Sequence, residues 1–136
     1  MNGVSTIGSG DGSITKFDIK NGSVVTSISD MTLAKGKGTQ ANINIKNGSN
    51  FLIHGDMKGG ISAAGQLELN MDNSSNLHVD KSIAVGIGSK SNISLSAASG
   101  SSISSTGDLV LGKTGNGIID IVSAEFPDFP GITCFQ

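Results

Sequence analysis

Three aspartates recur at one interval along this chain. Asp56 follows Asp30 by a 26-residue interval, Asp108 lies two further intervals on, and Ser82 holds the position between them. Carboxylates stacked a few ångströms apart repel unless something neutralises them. Hard cations take several oxygen ligands, so a calcium ladder is one chemistry this column allows. The other is a turn, in which an Asp ahead of a strand accepts hydrogen bonds from nearby backbone N–H groups. The sequence lacks the G-G-x-G-x-D nonapeptide of calcium-binding β-rolls, which favours the turn.

His54 and His78 are the two histidines. They occupy different positions of the repeating interval, so they do not stack, and neither has a second His or a Cys at metal-ligand spacing. They are expected to face water on successive repeats. Sugar hydrolysis needs paired carboxylates, but Asp72 and Asp120 fall at different positions and Glu68 points outward from its strand. There is no Arg to bind an acidic sugar, and Phe17 and Phe51 sit at core positions instead of forming a sugar platform. Unbroken repeats leave no long loop from which to build a cleft. No catalytic residue, cofactor or metal ligand is expected, and the chain reads as a non-enzyme. Thr6, Thr32, Thr39 and Thr106 form no regular array of the kind an ice-binding face would need.

The element that positions these side chains is a repeat. "IKNGS" occurs at Ile19–Ser23 and again at Ile45–Ser49. Cutting at that spacing gives Ser5–Asp30, Met31–Asp56, Met57–Ser82, Ile83–Asp108 and a partial fifth row, Leu109–Ala124, with no gap in any row. Apolar residues alternate within rows, as in Ala41, Ile43, Ile45 and Leu67, Leu69, Met71, the period-2 signature of half-buried strands. No row carries the i, i+3, i+4, i+7 pattern of a helix. Each row predicts three short strands joined by a Gly-rich bend, an Asn-Gly bend and a Gly-Asp bend.

Such a row cannot enclose a core alone, whereas stacked rows can. Each strand then pairs with its copy one row away, and aliphatic side chains form ladders along the axis. The predicted fold is all-β, a right-handed single-stranded parallel β-helix of about five coils, because β-crossovers are right-handed. Asn21, Asn47 and Asn73 then lie above one another at a corner, able to form an amide ladder until Ser99 interrupts it. The "NGS" triplets at Asn21 and Asn47 also match the N-glycosylation pattern, though a repeated turn accounts for them without it.

Composition narrows the function. The 136 residues include 20 Gly, no Trp, no Tyr and five Phe, and every basic residue is Lys. The core is therefore thin and aliphatic. A net charge of −2 without Arg argues against a nucleic-acid partner. One cysteine, Cys134, is most simply a free thiol. No apolar run is long enough for a membrane helix. "MNGVSTIGSG" shows no signal peptide, and the chain is expected to be a piece of a longer exported protein.

Rows such as "LVLGKTGNGIIDI" and "KNGSNFLIHGDM" resemble repeats in passenger domains of bacterial autotransporters, over residues 5–124. The resemblance implies an extracellular, cell-surface β-helical stalk, adhesive or self-associating, with host-surface or self-association contacts. In that family a C-terminal outer-membrane barrel carries the stalk out, and no such set of strands follows residue 124 here. No catalytic motif of the family matches. A stalk or adhesive module is the leading expectation. The alternative is a β-helix that forms oligomers or filaments through its open ends.

Residues 1–124 read as the repeat domain and residues 125–136 as a separate tail, "EFPDFPGITCFQ", which holds both prolines. Three readings stay open for it. It caps the core with Phe126, Phe129 and Phe135, it is foreign to the domain, or it buries those aromatics against another chain.

Overall fold

The computed structural model describes residues 3–98, 100–112, 114–122 and 132–134. Every regular element among them is a strand, and every pairing is parallel. No helix among the described residues is long and apolar enough to cross a membrane.

The first sheet stacks β1 (Ser5–Ile7), β4 (Met31–Leu33), β7 (Met57–Gly59), β10 (Ile83–Val85), β13 (Leu109–Leu111) and β15 (Ile132–Cys134), in that order. The second stacks β2 (Ile14–Ile19), β5 (Gln40–Ile45), β8 (Gln66–Met71), β11 (Asn92–Ala98) and β14 (Asn116–Val122). The third stacks β3 (Val24–Ser27), β6 (Asn50–Ile53), β9 (Asn76–Val79) and β12 (Ser102–Ser105). The chain therefore visits the three sheets in turn and returns one rung higher, which is a parallel β-solenoid.

Register follows the repeat. Phe17 pairs with Ile43, Ile43 with Leu69 and Leu69 with Leu95, each one full repeat on. Alternation sets which residues point inward, so β5 reads buried at Ala41, Ile43 and Ile45 and more open between them. The ladders of Met31, Met57, Ile83 and of Phe51, Leu77, Ile103 are at most 1% exposed. In the first coil, Ile7, Phe17 and Val25 are only partly buried against this core.

The "NG" corners are left-handed turns. Asn21, Asn47 and Asn73 have φ of 61°, 57° and 51°, and Gly22 and Gly48 follow at 70° and 72°. Asn and Gly are the residues that adopt this region at least cost, which is why the pair recurs at the corner.

The fifth coil departs from the sequence pattern. An ungapped fifth row predicts Ile121 over Leu95 and Ser123 over Ala97; instead Leu95 pairs with Ile119 and Ala97 with Ile121. The step from β11 to β14 thus falls two short of the preceding ones. The missing pair is the tip of the Gly-rich bend. In the fourth coil a turn spans Gly88–Ser91, closed by the Ser91 N–H on the Gly88 carbonyl at 3.2 Å. In the fifth, the N–H groups of Thr114 and Gly115 both donate to Gly86, at 3.1 and 2.9 Å, and the strand starts at once. Losing two residues leaves inward and outward parity unchanged, so alternation alone could not reveal it.

Of the tail, Phe126, Pro127, Phe129, Pro130 and Phe135 lie outside the described residues. Ile132–Cys134 adds a sixth rung to the first sheet, with Leu111 paired to Cys134.

Candidate functional site

The aspartate column forms a chain of backbone caps. The N–H of Asp56 donates to Asp30 Oδ1 (2.9 Å), that of Ser82 to Asp56 Oδ1 (3.0 Å), and that of Asp108 to Ser82 Oγ (3.1 Å). Each side chain thus receives the amide one coil above it. Ser82 does the same work as the aspartates, so the column needs an oxygen acceptor and not a charge. This is the turn chemistry, carried between coils instead of within one. Among the described residues no group of three His, Cys, Asp or Glu is placed to hold a metal ion.

The histidines do more than face water separately. His54 Nδ1 lies 2.6 Å from Asp80 Oδ2, and His78 Nε2 lies 3.3 Å from Asp80 Oδ1. His78 Nδ1 is also 2.8 Å from Ser104 Oγ. Two histidines from adjacent coils therefore converge on one carboxylate. The signal was in the sequence, since Asp80 stands one repeat after His54, but a search for His or Cys partners passes over it.

The hydrogen bond from His54 is the main cause holding the Asp80 carboxyl below its ordinary value of 3.8. A depressed folded-state value adds stability above the unfolded value and loses it as pH falls through the folded one. The stability difference between the wild type and Asp80→Asn is accordingly expected at neutral pH, shrinking to nothing in strong acid. Urea denaturation at a series of pH values measures it.

Ser104, His78 and Asp80 are connected in the order of a hydrolytic triad, with Ser104 on β12, His78 on β9 and Asp80 just past the end of β9. Acyl transfer also needs N–H donors aimed at a developing oxyanion. The flanking amides are committed, that of Asp80 to the Ile53 carbonyl (2.8 Å) and that of Thr106 to the Val79 carbonyl (3.0 Å). What the cluster can do is tie the second, third and fourth coils together through side chains.

Outward amides do the same elsewhere. Asn44 donates to Asp18 (2.7 Å), Asn73 to Asn47 (3.0 Å) and Asn76 to Asn50 (2.9 Å), and Ser102 caps Asn76 (2.7 Å). The expected corner ladder thus has its Asn47–Asn73 rung, while Ser99 is outside the described residues. Asp72 pairs with Lys46 at 3.8 Å. Glu68 points outward and takes a hydrogen bond from Asn70 (3.0 Å). Over the second sheet lies an open groove of about 530 Å³, lined by Gln40, Asn42, Gln66, Leu67, Glu68, Asn92, Ile93 and Ser94.

No protein-family model and no solved structure matches the chain. A stretch of 34 residues, 25% of the chain, is 94% identical to part of the uncharacterized protein YuaO of Escherichia coli (strain K12). The match spans 2% of that protein's length.

Proposed function

We propose that this chain is a segment of a bacterial cell-surface β-helix, similar to an autotransporter passenger, acting as a structural and adhesive scaffold without catalysis. The observation that carries the reading is the uninterrupted coil stack. Each coil hydrogen-bonds the next through backbone and through outward Asn, Asp and Ser, which makes a stiff rod. Its outer faces are polar and repeated, suited to many weak contacts acting together. The near-identity of one stretch to a much longer E. coli protein supports a bacterial setting and a role as part of a larger chain.

Beads coated with the purified chain test this. They are expected to be retained on cultured epithelial cells above beads coated with an unrelated protein, and the chain is expected to turn over no polysaccharide. Retention at the control level contradicts the adhesive half, and turnover contradicts the non-catalytic half.

A further inference from the structure

Several outward amides on this solenoid bond to the residue one coil away. Asn73 donates to Asn47 and Asn76 to Asn50, at 3.0 and 2.9 Å, and Asn44 donates to Asp18 at 2.7 Å. Gln40 and Gln66 are stacked in the same way, as partners in the β5–β8 register. Their side chains nevertheless hydrogen-bond neither each other nor any other described residue, and the same holds for Asn42. All three line the groove over the second sheet. Gln40 and Gln66 are exposed and Asn42 is half-buried. The groove lies on coils with neighbours on both sides, since β5 pairs with β2 and β8, and β11 with β8 and β14.

Hydrogen-bonding capacity left unspent in a groove sets what can fill it. Each Gln or Asn amide offers N–H donors and a carbonyl acceptor side by side. A ligand must therefore bring donors and acceptors at close spacing, as the neighbouring hydroxyls of a sugar do. Glu68 accepts from Asn70 through one oxygen, at 3.0 Å, and its second oxygen can accept from a hydroxyl. It is the one ionised side chain among the described residues of the lining. No lysine stands there to receive a carboxylate, sulfate or phosphate, so an anionic polymer meets like charge. An extended peptide docks on a sheet through a free strand edge, and β5, β8 and β11 each have both edges paired. Coils repeat about every 4.8 Å, close to the length of one sugar unit.

From this we infer that the groove binds a neutral glycan lying along the solenoid axis. Gln40 and Gln66 meet successive sugar units, and Asn42 and Glu68 take the hydroxyls on the next outward column. Without an aromatic platform each glycan is held weakly, with a dissociation constant of the order of 1 mM. Many copies on one surface turn such contacts into firm attachment. The inference names the ligand class for the adhesive half of the scaffold reading and rests on that half.

NMR titration of the isotope-labelled full chain with cellohexaose, maltohexaose and mannohexaose tests it. The side-chain amide signals of Gln40, Asn42 and Gln66 are expected to move with at least one of these neutral sugars, and not with a heparin hexasaccharide. Q66A and E68A, both at exposed positions, are each expected to weaken that binding about tenfold. N76A removes an amide ladder outside the groove and is expected to bind as the wild type does. Circular dichroism confirms that each variant stays folded. No shift with any of the three sugars, stronger binding of the heparin fragment, or Q66A and E68A binding as the wild type does would each overturn the inference. Beads coated with the Q66A/E68A double variant separate it from the adhesive reading. Loss of their retention on cells, where wild-type beads are retained, supports the groove as the adhesive site. Equal retention of both leaves adhesion standing and overturns the groove as its site, whereas retention of neither overturns adhesion itself.

Discussion

Phe51→Ala is expected to lower the unfolding free energy by about 3–5 kcal/mol, the cost of a large cavity in a packed core. Phe51 is fully buried and lies between Val25 below and Leu77 above. Its ring meets Phe17 edge-on, with centroids 6.2 Å apart. With so few aromatics, nothing nearby can refill the space. In a solenoid each coil is held by its two neighbours, so a void in the second coil weakens the contacts on both sides. Val25→Ala, at a partly buried position in the first coil, is expected to cost only about 1 kcal/mol. Urea unfolding of the two variants beside the wild type measures both. A smaller loss for Phe51→Ala than for Val25→Ala would contradict the proposed core.

Gly55→Ala is the second large effect, expected at about 2–3 kcal/mol of destabilisation from overpacking. Gly55 sits over the first coil, against the backbone of Ser29 and Asp30. A Cβ there would fall 2.6 Å from the Ser29 carbonyl carbon, and nearer still to the backbone nitrogen and Oδ1 of Asp30. Backbone cannot swing aside as a side chain can, so the two coils must part. The bond from the Asp56 amide to Asp30 would open with them. Gly48→Ala is the control. It meets nothing within 4 Å and strains only its left-handed φ of 72°, for about 1 kcal/mol. Hydrogen exchange should show protection lost first in β1, β2 and β3 of Gly55→Ala, and not in Gly48→Ala.

Much of this architecture is legible in the sequence, because two strong signals coincide. Period-2 alternation fixes which side chains are inward, and the recurrence of "IKNGS" fixes which coil positions stack. Register from Phe17 through Leu95 follows from those alone. The fifth coil shows where such reading fails. Removing the bend tip keeps alternation intact, so Ile119 and Ile121 both satisfy the pattern opposite Leu95, and only the hydrogen bonds of Thr114 and Gly115 separate them.

The polar clusters were less legible for a different reason. The interval that aligns Asp30 with Asp56 also aligns His54 with Asp80, but a hydrogen-bonding partner has no fixed residue type. Ser82 in an aspartate column was the clue that acceptor geometry, not charge, is selected there.

Inter-strand backbone NOEs on an isotope-labelled sample test the stacking most directly. Close contacts are expected between the strands at Ile43 and Leu69 and at Leu69 and Leu95, one full repeat apart, then between Leu95 and Ile119, where the step is two residues shorter. Contacts pairing Leu95 with Ile121, antiparallel patterns within a coil, or helical i to i+3 contacts in their place would contradict the coil-on-coil arrangement.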